Sequence, residues 1–166
     1  ENEPDWSING SDFEFNGGIT IVVNGEDGNV LSDSGDMIAA FDTNGDIRGV
    51  ASEDLCGTCA QAAPFGPYAG DYLFTLTVYG SSGDELSFKL YDSSEDEVIT
   101  LSETVTFEPN MNIGGATSPE IFTPVVAENE PDWSINGSDF EFNGGITIVV
   151  NGEDGNVLSD SGDMIA

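Results

Sequence analysis

Apolar and polar residues alternate with a period of two along two stretches of the chain. In residues 72–79, Tyr72, Phe74, Leu76 and Val78 fall on one side and Thr75, Thr77 and Tyr79 on the other, with Leu73 the exception. In residues 85–91, Leu86, Phe88 and Leu90 alternate with Glu85, Ser87, Lys89 and Tyr91. Such alternation marks strands with one buried face, and the short Gly80–Asp84 connection predicts that the two pair as a central hairpin. Residues 19–23, 37–41 and 47–51 are apolar runs that predict further strands. Asn44-Gly45 sits midway between the last two and predicts a tight hairpin there.

Weaker signals fill the rest. Phe13 and Phe15 alternate with Glu14 until Asn16-Gly17-Gly18 breaks the pattern, and Val30-Leu31, residues 98–101, Val105 with Phe107, and Ile121-Phe122 read as short strands. Between Ser52 and Gly70 the pattern lapses into a long connection, for which Phe65 and Tyr68 are the expected anchors. No helical pattern of ten or more residues appears. About eight short strands separated by Gly, Asn and Asp turns predict an all-β fold, an Ig-like or jelly-roll-type antiparallel β-sandwich. The central hairpin is expected to face a second sheet containing residues 19–23 and 37–41.

The same pattern then starts again. Residues 128–166 repeat residues 1–39 without a difference, so Trp133 corresponds to Trp6 and Ala166 to Ala39, at an offset of 127 residues. This divides the chain into a complete repeat, 1–127, and the first part, 128–166, of the next identical one, with a linker at about 123–131. Pro124 and Pro131 predict a short, stiff connection, so that successive units form a jointed rod. Because Ala39 lies inside a predicted strand, two arrangements are expected, a window on a longer covalent array or copies that complete a neighbouring domain by lending residues 128–166 head to tail, with a partly ordered fragment of an ordinary two-domain protein as the remaining reading.

Charge narrows the choice of partners. The 166 residues contain 32 acids against two bases, a formal net charge of −30. Nine of the acids fall in 128–166, which leaves 23 in the first period beside Arg48 and Lys89. A surface of one sign repels nucleic acid and anionic membranes, and the chain has no apolar run long enough to insert into a bilayer. It also repels itself, which predicts neutralisation by high salt or by bound divalent cations, Ca²⁺ being the one best suited to carboxylate and carbonyl oxygens. The hydrophobic fraction of 38% is that of a folding chain rather than a disordered one.

Three acidic turns supply candidate Ca²⁺ ligands: Asp33 and Asp36, then Asp42, Asn44 and Asp46, then Asp92, Glu95 and Asp96. Residues 42, 44 and 46 carry oxygens at the spacing of half an EF-hand loop, and Glu53 stands eleven residues after Asp42. Ile47, however, occupies the place of the turn glycine, and the hairpin carries Glu53 away. A site gathered from several loops at one end of a sandwich is therefore the expectation. For Cys56 and Cys59 the open readings are a short structural disulfide of an exported protein, a free pair, or an intersubunit metal or redox role. Asn9 and Asn136 open Asn-Gly-Ser sequons, which also fit unmodified turns. The chain has no histidine and no nucleophile or phosphate-loop motif, so it is not read as an enzyme.

In order, Trp6, Phe13 and Phe15, Gly35-Asp36-Met37-Ile38-Ala39-Ala40-Phe41, Arg48-Gly49-Val50-Ala51, residues 72–80, Phe88-Lys89-Leu90-Tyr91-Asp92, Thr106-Phe107, Ile113-Gly114 and Ser118-Pro119 resemble secreted bacterial β-sandwich repeat domains of large extracellular or surface proteins. The repetition is similar in architecture to the calcium-bound extender repeats of giant adhesins. The resemblance implies an extracellular or cell-surface, non-catalytic module, and the repetition makes identical copies the expected partners. The expected function is thus a structural repeat of an extracellular filament or surface rod. The alternative is a carbohydrate-binding or adhesive module that would grip polysaccharide with Trp6, Phe65, Tyr68, Tyr79 and Tyr91.

Overall fold

A computed structural model describes residues 3–125; Asn136 and the rest of the second copy lie outside them. In chain order the strands are β1 (Asn16–Val23), β2 (Met37–Phe41), β3 (Ile47–Ser52), β4 (Ala60–Ala62), β5 (Tyr72–Tyr79), β6 (Glu85–Asp92), β7 (Glu97–Thr106), β8 (Asn112–Ile113) and β9 (Glu120–Phe122). One sheet has the order β4-β5-β1-β8, with β9 also on β1, and the other β3-β2-β6-β7. Most pairings are antiparallel, but β8 and β9 run parallel to β1. The chain is thus mostly β, in two antiparallel-rich sheets.

Both sheets feed one core. Ile19, Ile21, Phe74, Leu76 and Val78 of the first sheet join Ile38, Ala40, Leu86, Phe88 and Leu90 of the second in a single buried cluster, with Phe107 and Phe122 alongside. At Gly49 the sheets come so close that a Cβ would stand 2.5 Å from the Thr77 carbonyl oxygen. The alternation read in 72–79 and 85–91 therefore identifies the buried faces correctly, yet the expected hairpin does not form. β5 pairs with β1 and β4, whereas β6 pairs with β2 and β7. The connection crosses between sheets, tied down where Gly83 N–H donates to the Phe107 carbonyl and Phe107 N–H to that of Asp84. The grouping of residues 19–23 with 37–41 is corrected in the same way, since β1 and β2 belong to different sheets.

Gly17 and Gly18, read as a break, lie inside β1. A Cβ on Gly17 would stand 2.5 Å from Met111 Cγ, so the glycine is what lets the 108–113 segment close on the sheet. Residues 97–106 form one ten-residue strand rather than two, its register on β6 shifted between Ser87 and Lys89. The connection after Ser52 holds a one-turn helix, α1 (Glu53–Cys56), as well as β4. Tyr68 anchors this region against Val22 and Leu73, but Phe65 is 61% exposed rather than buried as an anchor would be.

The β2–β3 hairpin forms as expected, with Asp42 N–H donating to the Asp46 carbonyl and Gly45 at φ +86°. Ahead of β1, Trp6 and Ile8 lie on the outer face of β2 and β3 with Ala39, Phe41 and Val50. Trp6 meets the Phe41 ring edge-on at 5.7 Å. At the other limit of the described residues, Ser102 N–H donates to the Thr123 carbonyl and Val125 N–H to that of Thr100, extending β7 by a short pairing.

Candidate functional site: the acidic end

The strands carry the candidate acids to two opposite ends. β2 begins at Met37 beside Tyr91 and finishes at Phe41 beside Ser87. Asp33 and Asp36 therefore lie just before the first end, where the β6–β7 turn brings Asp92, Glu95 and Asp96. Asp42, Asn44 and Asp46 follow the second.

At the first end, Asp36 is 1% exposed. One of its oxygens, Oδ2, accepts from Asp33 N–H at 2.9 Å, and Oδ1 accepts from Ser93 N–H at 2.9 Å and Ser93 Oγ at 3.2 Å. This single carboxylate stitches the 33–36 loop to the β6–β7 turn. Asp92 Oδ1 holds the turn itself through Ser94 N–H, Ser94 Oγ and Glu95 N–H, and Asp96, at φ +55°, accepts from Tyr91 Oη at 2.8 Å. Gly35 has φ +97°, and a Cβ there would stand 2.7 Å from Ser93 Oγ. Glu3, Gly35, Asp54, Tyr91, Ser93 and Asp96 line a shallow open depression beside these groups.

Burial raises the Asp36 pKa; the hydrogen bonds from Asp33 and Ser93 oppose the rise, and the neighbouring charges of Asp33 and Asp92 add to it. Folding here holds a carboxylate among like charges with only neutral donors. Ser34 Oγ donates to Glu53 Oε2 at 3.0 Å, placing another acid nearby.

The second end is compensated. Asp42 Oδ1 accepts from the N–H groups of Asn44 and Asp46, and Oδ2 from Arg48 Nε at 3.1 Å and Nη2 at 2.6 Å. Burial would raise this pKa, but the guanidinium's hydrogen bonds and charge, with the two backbone donors, bring it below the usual range. Arg48 also lies 5.1 Å over the Phe13 ring. Asp42 and Arg48 thus satisfy each other, and Glu53 sits in α1 rather than closing a loop around Asp42. Among the described residues, no group of three or more acidic or cysteine side chains has a geometry that could hold a metal ion.

The structure separates the aromatic candidates. Trp6 is half-buried on Phe41, and half-buried Tyr79 stacks on Phe13 at 5.3 Å. Tyr68 is half-buried on Val22 and Leu73, and Tyr91 is 5% exposed. Only Phe65 of the five presents an open ring, so they form no row of exposed rings for a polysaccharide. Asn9 is exposed and caps a 3-10 turn, its Oδ1 accepting from Ser11 N–H and Oγ while Nδ2 donates to Asp12. Cys56 and Cys59 are joined in a disulfide.

Sequence reasoning did not single out Ser93, Glu3 or Asp54 as parts of the acidic end. No spacing signals them, since the topology alone brings them there. Arg48 did carry a signal: in a chain of 32 acids and two bases, each cation is expected to have a dedicated partner. No known family model, curated protein or solved structure matches the chain.

Proposed function

We propose that the chain is a length of an extracellular filament or surface rod, built from identical acidic β-sandwich repeats joined head to tail and stabilised by Ca²⁺. The observation that carries this reading is the recurrence of residues 1–39 at 128–166, set against what residues 1–39 do in the described unit. They supply β1, in the middle of one sheet, and the first residues of β2, in the middle of the other. The second copy therefore spells the central strands of another unit. Because the described unit already contains its own β1 and β2, a covalent array of self-sufficient units is favoured over strand lending. Val125 is tied to Thr100, and Trp133, the counterpart of Trp6, follows eight residues later, which favours a short joint.

Calcium enters through the acidic end. Asp33 and Glu95 are exposed there beside buried Asp36 and Asp92, and a cation at this rim would relieve the repulsion that folding imposes on Asp36. Asp33, Asp36, Asp92, Glu95 and Asp96 supply the negative charge that would draw the ion and are its candidate ligands, although their side chains as they stand are not gathered into a metal-holding group; Asp42 is already engaged by Arg48. A ligand that binds the folded state alone adds about 2.7 kcal/mol of stability at a hundredfold excess over Kd. The disulfide suits an oxidising compartment, and no described helix is long and apolar enough to cross a membrane.

The array is tested by small-angle scattering from concatemers of two, three and four periods in Ca²⁺. The maximum dimension should grow by a constant increment per period. Growth only as the cube root of mass, as for one compact particle, would overturn the reading.

A further inference from the structure

The Cys56–Cys59 disulfide closes a ring whose path is already set by other bonds. Ser52 Oγ caps α1 by accepting from Leu55 N–H at 3.2 Å, and Gly57, at φ +33°, donates its N–H to the Glu53 carbonyl at 2.8 Å. Cys59 N–H donates to the Cys56 carbonyl at 3.2 Å, and the Cys59 carbonyl accepts from Thr75 N–H at 2.6 Å, which leads the chain into β4. A covalent bond across three residues adds little loop-closure entropy to this.

The two sulfurs are not equivalent. Residues 53–58 are exposed and Cys56 is among them, whereas Cys59 is half-buried against the main core. The surroundings are also of one sign. Glu53 and Asp54 precede Cys56 in α1. Both cations of the first period are held elsewhere, Arg48 on Asp42 and Phe13, and Lys89 5.2 Å over the Phe41 ring.

We propose that Cys56–Cys59 is a surface thiol–disulfide exchange site for neutral and cationic thiols, with Cys56 as the sulfur attacked and Cys59 as the leaving group. An external thiolate forms a bond to Cys56 Sγ as the Cys56–Cys59 bond breaks, and the electron pair of that bond leaves on Cys59 Sγ, which takes a proton from water. A second thiolate then attacks the external sulfur of the mixed disulfide and releases the Cys56 thiolate. Two thiols are oxidised to one disulfide and the protein pair is reduced by two electrons. Anionic thiols are slowed by the local field, because approach against like charge lowers the encounter rate. This site does not depend on the filament reading.

The test uses the intact 166-residue chain in native, low-salt buffer. Cysteamine and 3-mercaptopropionate are compared at equal thiolate concentration, with iodoacetamide trapping the freed sulfur and peptide mass spectrometry locating each adduct. The mixed disulfide should appear on Cys56 with the alkyl group on Cys59, about tenfold faster for cysteamine, and the ratio should approach one at about 1 M salt, where the Debye length is about 3 Å. Adducts on Cys59, or equal rates at low salt, would overturn the assignment. Dithiothreitol should reduce the pair in the folded protein and shift the melting midpoint by less than about 3 °C. A bond that yields only when the fold melts, or a fold that collapses on reduction, would show the disulfide to be purely structural.

Discussion

Asp36 and Asp42 are the same residue type at opposite ends of the same strand, both buried, and their ionisation shifts in opposite directions. Asp42 has a guanidinium and two backbone donors; Asp36 has neutral donors and acidic neighbours. Asp36 is also the more deeply buried, 1% exposed against 9% for Asp42, so depth and the lack of a cationic partner act together. One end of the unit pairs its buried carboxylate with the unit's own cation, and the other holds one among neutral donors; the proposed calcium would sit at the second.

The largest effect should come from removing the internal cation. Arg48→Ala leaves Asp42 buried without its charged donor and uncovers Phe13, at a cost of about 3 kcal/mol in denaturant melts. Gly35→Ala attacks the other end, because a left-handed φ and a Cβ 2.7 Å from Ser93 Oγ together strain the stitch; the expected cost is about 2 kcal/mol. Gly45→Ala is the milder counterpart at the compensated end. Its φ is also left-handed, but its Cβ would meet nothing within 4 Å, and roughly 1 kcal/mol is expected.

The smallest effect is in pH. Asp36 has a folded value raised above the usual 3.8, so its contribution is fully present below that value and lost as pH rises through the folded one. Asp42 has a folded value lowered from 3.8, so its contribution is present above that value and lost as pH falls through the folded one. In chelator, stability should therefore rise modestly as pH is brought down from 7 toward the Asp36 window and fall again once Asp42 protonates. In Arg48→Ala the acid limb should begin at higher pH. A monotonic fall from pH 7 downward would break the contrast.

Much of the contrast was legible before the structure, and the reason for the remainder is physical. Asn44-Gly45 between two apolar runs specified the β2–β3 hairpin because an Asn-Gly pair readily takes the backbone this turn needs. Alternation in residues 72–79 and 85–91 identified the buried sides of β5 and β6. It did not tell which neighbours they pair with, because a strand presents the same apolar row whichever strands lie beside it. Gly17 read as a break because nothing local announces Met111, about a hundred residues later. α1 and β4, at four and three residues, are too short to show a period. At the acidic end, the clusters at 33–36 and 92–96 were visible separately, but their union through Asp36 and Ser93 required the β2–β6 pairing.

The central claim is the proposal that a calcium ion binds at the Asp36 end, and a calcium-dependent melt of the 166-residue chain tests it most directly. Calcium should raise the unfolding midpoint of the parent chain and of Asp46→Asn, and the rise should be lost when Asp33 and Asp92 are both changed to Asn. A midpoint unchanged between excess calcium and excess chelator, or a response that survives the double change, would contradict it.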